Sequence, residues 1–154
     1  MTQTVPPQAH PPFDDKFIND LLQWPESSQF ECKRLAGKLT TVLESIVALA
    51  NSEGGIIALG FEDPGKAKGR ARVYGIQENP TNWDELRRQL QSRITEPNLL
   101  PCSPVEIGCT LRDGTMGSVV FLKIEKSNRI HSIVDDGTWV RLEKGNKELT
   151  ANEI

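Results

Sequence analysis

Ala50-Asn51-Ser52-Glu53-Gly54-Gly55-Ile56-Ile57-Ala58-Leu59-Gly60-Phe61 reads as a helix ending in a glycine turn that feeds straight into a buried strand. Upstream of it, Leu39, Leu43, Ile46, Val47 and Ala50 recur at helical spacing, so residues 38–51 are expected to be helical. Gly54-Gly55 supplies the left-handed terminator. The run 56–61 is continuously apolar, the pattern of a strand covered on both faces. Further upstream, residues 30–35 have the length of a short strand whose alternation puts Glu31 and Lys33 on one face. Residues 14–24 place Phe17, Leu21 and Leu22 at helical spacing and stop at Pro25.

Downstream, residues 64–72 are a loop rich in glycine and basic side chains, and 73–76 reads as a short strand. Thr81 is the expected cap of a helix running to about Thr95, with Trp83, Leu86, Leu90 and Ile94 inward. Val105, Ile107, Cys109 and Leu111 alternate, Asp113-Gly114 marks a hairpin, and 118–124 is the return strand. A further run, 130–134, leads through Asp135-Asp136-Gly137 to 138–142. The order predicts an α+β fold: a mixed, mostly antiparallel sheet with two or three packed helices.

The 154 residues suit one domain, expected over 14–150, between a proline-rich disordered tail at 1–13 and a short polar tail at 151–154. Net charge is −3, too small to impose a field that selects nucleic acid or membrane. It is unevenly spread. Residues 1–32 carry one base and five acids, whereas from Lys33 onward 17 bases face 16 acids. Three cysteines without paired spacing argue against a disulfide framework, and two histidines against a Cys/His zinc site. No apolar run approaches the roughly 18 residues of a membrane helix, and the N-terminus lacks the pattern of a signal peptide. A cytoplasmic protein with no membrane partner is the expectation. The ending at Ala151-Asn152-Glu153-Ile154 leaves open a complete protein or one domain of a longer one.

Two groups of residues carry chemical content. Glu26, Glu31, Glu62 and Asp63 meet at strand ends if strands 30–35 and 56–61 are neighbours. Clustered carboxylates can hold Mg²⁺ or Mn²⁺ for phosphodiester cleavage, and the alternative is that they are solvated acids capping their elements. Lys66, Lys68, Arg70 and Arg72 recur at every second position, so an extended segment would present a basic ridge to phosphates, with Tyr74 as a stacking face. The alternative is a solvated loop. A second basic set comprises Lys123, Lys126, Arg129, His131 and Arg141. The stretch Gly60 to Ala67 nearly spells a phosphate-binding P-loop, but Ala67 lacks the hydroxyl, Pro64 lacks the amide, and Glu62 and Asp63 repel phosphate.

The order Glu26…Glu31-Cys32-Lys33, then Ala50-Asn51-Ser52-Glu53-Gly54-Gly55, then Gly60-Phe61-Glu62-Asp63 and Gly75, resembles the Schlafen-type AlbA domain. Ser127-Asn128-Arg129-Ile130-His131 and Gly137-Thr138-Trp139-Val140-Arg141 are similar to that family's later motifs, so the resemblance covers about 20–150. Cys32 stands where the family usually has Phe, and Ile130 where it often has Pro. The resemblance implies a DNA-binding domain of the kind found in bacterial transcriptional regulators, where a helix-turn-helix or ATPase segment often follows. Some members are instead endoribonucleases that use three acids and a divalent metal. Glu26 and Glu31 match two of these acids, and Asp63, then Glu62, is the candidate for the third.

The leading expectation is a non-enzymatic binding module for DNA or RNA, needing no cofactor. Lys33, Lys66, Lys68, Arg70, Arg72, Arg129, His131 and Arg141 would lie on phosphates. The second is a ribonuclease with Glu26, Glu31 and Asp63 as catalytic, metal-holding acids. The third is a regulatory domain whose ridge meets an acidic protein. A homodimer through an open strand edge is a further possibility.

Overall fold

The computed structural model describes residues 12–143 and 145–154; residues 1–11 of the expected tail lie outside the described residues. The helical stripe forms α2, Leu39–Ala50, and the apolar run forms β2, Gly55–Leu59. Between them Gly54 adopts φ +76 and its amide returns to Leu49 O at 2.8 Å. A Cβ there would stand 2.6 Å from Ile124 O, so the turn needs glycine for space as well as for φ.

β1, Phe30–Lys33, runs parallel to β2. β3, Cys102–Thr110, and β4, Met116–Ile124, form the expected hairpin, and β4 pairs antiparallel with β2. The sheet order is β1-β2-β4-β3, so the fold is α+β with a mixed sheet. The sheet buries both faces. Ile57, Leu59, Val120 and Leu122 pack with α2 and with α3, Pro80–Ser92. Ala58, Val119 and Phe121 pack on the other side with Ile18 and Leu21 of α1, Asp15–Leu21. Strand alternation thus serves two cores, which is why β2 reads as uniformly apolar.

Four local expectations change. α3 starts two residues before Thr81's expected role would allow: Asn79 accepts from Asn82 N, and Pro80 occupies the first turn, where a missing amide costs nothing. Residues 73–76 form no strand. After a single bridge between Val73 and Phe61, Gly75 turns with φ +77 into a short 3-10 helix. Residues 130–134 also stay irregular, because His131 N and Ser132 N donate to the side chains of Asn51 and Thr95 rather than to a strand. The chain instead closes with a small ribbon of β5, Trp139–Arg141, and β6, Asn146–Glu148.

The exposed edge of β3 is largely closed. Pro12 O accepts from Gly108 N, Asp14 N donates to Gly108 O, and Asp15 accepts from Thr110 N. Pro104 has no amide, and Cys102 N donates to Leu100 O. Among the described residues, strand alternation leaves Glu106 as the outward residue of β3 whose amide has no partner. Pro12 and Phe13, expected in the tail, are therefore part of the fold.

Candidate nucleic-acid interface

Alternation along β1 sends Phe30 and Cys32 into the core and Glu31 and Lys33 to the opposite face. There Lys33 Nζ lies 2.8 Å from Glu31 Oε2, and Arg141 Nη1, from β5, lies 2.6 Å from Oε1. Ser45 Oγ, from α2, donates to the same carboxylate at 3.1 Å. Asn146 of β6 completes the set: it accepts from Arg141 Nη1 at 3.0 Å and donates to Ser45 Oγ at 3.0 Å. Arg141 also donates to Ser27 O at 2.9 Å. Its side chain is 5% exposed and that of Glu31 13%, so this is a nearly buried ion pair. Burial acts to raise the Glu31 pKa, but the charges and hydrogen bonds of Lys33 and Arg141 outweigh it and hold it below the usual carboxylate range.

Glu26, Glu31 and Asp63 line one pocket of about 160 Å³, together with Cys32, Lys33, Arg141, Gly145 and Asn146. The three acids expected from sequence thus share a pocket, yet each already has a task. Glu26 Oε2 accepts from Cys32 N at 2.8 Å and covers the outer edge of β1. Asp63 Oδ1 accepts from Gly65 N at 2.7 Å, shaping the turn after β2. Both Glu31 oxygens are held by cations. In this arrangement the acids do not fit a metal ion. Among the described residues no three His, Cys, Asp or Glu side chains are grouped closely enough to bind one. Glu62 faces away toward Arg34, at 3.1 Å.

The basic residues divide. Lys66 and Lys68 are exposed. The extended ridge does not form, because Gly69–Arg72 is a 3-10 helix. Arg70 turns to Asp15, Asn19 and Thr110 O. Arg72 is 2% exposed and donates to Glu62 O, Leu22 O and Cys32 Sγ, so it is a structural cross-link out of reach of a phosphate. Burial pushes the Cys32 thiol up to about 12, consistent with an inert packing residue. Tyr74 has no open stacking face of the expected kind: the Arg34 guanidinium lies 3.6 Å and that of Arg112 4.4 Å from its ring centre.

His131 is fully buried, with Nδ1 2.9 Å from Thr95 O and Nε2 2.8 Å from Ser127 Oγ. Nδ1 is placed to donate to Thr95 O, and the ring has a packing role. Arg129 is exposed and pairs with Glu96 at 3.0 Å. Among the described residues, Arg141 is the one distant base that reaches the β1 site. Sequence reading missed Ser45, Asn146, Arg34 and Lys38. Ser45 left a signal as a fully buried hydroxyl among the apolar residues of α2, whereas Asn146 lies on a three-residue strand that no periodicity marks.

A second acidic group lies close by. Burial, a hydrogen bond with Asp136 and the Asp136 charge raise the Glu44 pKa to about 7; Glu148 adds to this and Lys33 opposes it. A carboxyl with a folded pKa above its ordinary value of 4.5 retains a proton that the unfolded chain has lost. Stability should therefore fall as pH rises from 4.5 to about 7, and level off above. The lowered carboxyls Asp15, Glu31 and Glu62 act in the opposite sense, but below 4.5. The melting temperature of the parent should decline between pH 5 and 7, while Glu44→Gln should remove most of that decline. An equal decline in the variant would refute the assignment.

The fold is a two-sided α+β sheet closed by a ribbon that places Arg141 on the β1 glutamate Glu31 beside Lys33. The sequence pattern of the Schlafen, AlbA_2 family matches residues 26–150, and the chain belongs to that family. In three dimensions it is similar to the DIP2311 protein from Corynebacterium diphtheriae, with a TM-score of 0.54 and 15% identity. That match takes in 79% of this chain and 22% of the other, and it speaks to the fold. No curated protein matches the chain in sequence. No helix among the described residues is long and apolar enough to cross a membrane.

Proposed function

We propose that the chain is a nucleic-acid-binding domain that holds the sugar–phosphate backbone with cations grouped around the end of β1. The observation that carries this reading is the charge balance at Glu31. Its single charge is met by two cations, Lys33 and Arg141, one positive charge more than it carries, and the exposed Lys66 and Lys68 follow β2 close by in sequence to add to that surplus for an incoming anion. Family membership supports a nucleic-acid-associated role. Phosphate contacts of this kind position a strand without reading its sequence.

A second reading, a ribonuclease, is favoured by the shared pocket of Glu26, Glu31 and Asp63. It requires Lys33 or Arg141 to release Glu31 first. Labelled RNA and a DNA duplex, incubated with the domain with and without Mn²⁺ and run on a gel, separate the two. The binding domain shifts nucleic acid, cuts nothing and keeps its shift in Glu31→Gln. Metal-dependent cutting that disappears in Glu31→Gln would establish the nuclease. A domain that shifts neither nucleic acid would point to the regulatory, protein-binding alternative.

A further inference from the structure

An open cleft of about 330 Å³ adjoins the carboxylate pocket, where the end of β1, the start of α2 and the turn after β2 meet. The two share Cys32, Lys33 and Asp63 among their lining residues, so they lie side by side. Four cations, Lys33, Arg34, Lys38 and Lys66, line the cleft against two acids, Glu62 and Asp63. The pairing is uneven. Arg34 is committed to Glu62 at 3.1 Å and Glu78 at 2.6 Å, and Lys33 to Glu31 at 2.8 Å. Asp63 accepts from the Gly65 amide. Lys66 lends charge to Glu62, which Arg34 already holds. Lys38 and Lys66 themselves make no ion pair among the described residues.

We propose that Lys38 and Lys66 together hold one phosphate group of the bound nucleic acid in this cleft, which leaves the adjoining nucleotide over the Glu26–Glu31–Asp63 pocket. The inference rests on the nucleic-acid reading above. Two ammonium groups brought to one cleft from different elements repel each other, and an anion between them converts that cost into attraction. Each offers three donors to the several acceptor oxygens of a phosphate. Thr41 Oγ1 donates to Lys38 O at 3.0 Å and fixes the backbone from which Lys38 projects. The phosphate can be an internal phosphodiester or a strand terminus; the chemistry is the same.

The test measures the affinity and salt dependence of a short single strand, with either a 5′-hydroxyl or a 5′-phosphate, for the parent, K38A/K66A and K38R/K66R. Both lysines are exposed, so all three proteins should melt alike. The alanine pair should weaken binding by roughly tenfold or more and make the salt slope shallower by about 0.7, the share of one phosphate on a single strand. The arginine pair should retain both. Equal losses on the two strands assign an internal phosphodiester, and a loss confined to the 5′-phosphate strand assigns a terminus. Unchanged affinity and slope in the alanine pair, with the parent still binding, would overturn the cleft and leave the nucleic-acid reading standing. If the parent binds neither strand, nor a DNA duplex of matched length, that reading falls. Inorganic phosphate, followed through the amide signals of Lys38, Thr41 and Lys66, then decides the cleft. Shifts that vanish in the alanine pair keep it as a phosphate site, and no shifts overturn it.

Discussion

Arg141→Ala is expected to destabilise the domain by about 3 kcal/mol, the scale on which removing one partner strands a buried charge. Glu31 would be left largely buried with Lys33 alone, and Ser27 O and Asn146 Oδ1 would lose their donor. The cost comes from the orphaned carboxylate, so a second change should recover part of it. Arg141→Met combined with Glu31→Gln removes both charges and keeps most of the volume, and it should be clearly more stable than Arg141→Ala. Denaturant unfolding of the parent, Arg141→Met, Glu31→Gln and the Arg141→Met/Glu31→Gln double variant gives the coupling energy directly. If the double variant loses the full sum of the singles, Arg141 and Glu31 do not act as a pair.

Asn51→Ala should cost a similar amount, about 3 kcal/mol, through hydrogen bonds rather than charge. Its Nδ2 donates at 2.8 Å to His131 O and at 2.8 Å to Trp139 O, and its Oδ1 accepts from His131 N at 2.8 Å. One side chain therefore serves three backbone groups of segments more than 75 positions away, and each group left unsatisfied costs roughly 1 kcal/mol or more. These bonds fix the ribbon that carries Arg141 against the end of α2. Asn51→Asp should be at least as damaging, since it loses both donations and sets a charge against two carbonyl oxygens. A melting temperature in Asn51→Asp close to that of the parent would refute this account of how the ribbon is held.

Elements defined by local signals were legible in the sequence. The stripe of α2, the glycine turn and the apolar β2 appear where expected, because helical period and positive φ are set within a few residues. The same-face placement of Glu31 and Lys33 follows from strand alternation. What was not legible depends on distant partners. Nothing near Arg141 signals that it crosses 110 positions to Glu31. Arg72 reads as one of four alternating surface bases, and only the 3-10 turn that carries it inward makes it a buried cross-link. Residues 73–76 have strand-like composition, but Gly75 turns the chain there. The ribbon strand Asn146–Glu148 is too short and polar to leave a pattern; it forms because β5 offers it a partner.

The central claim, that the cations around β1 serve nucleic-acid phosphates, is tested most directly by one salt titration. Labelled single-stranded RNA and a DNA duplex of matched length are bound to the domain over a range of salt concentrations, and log affinity is plotted against log salt. The account predicts measurable binding at low salt that falls along a straight line with a slope of at least about −2, reflecting several phosphate contacts. No binding at low salt, or an affinity indifferent to salt, would contradict it.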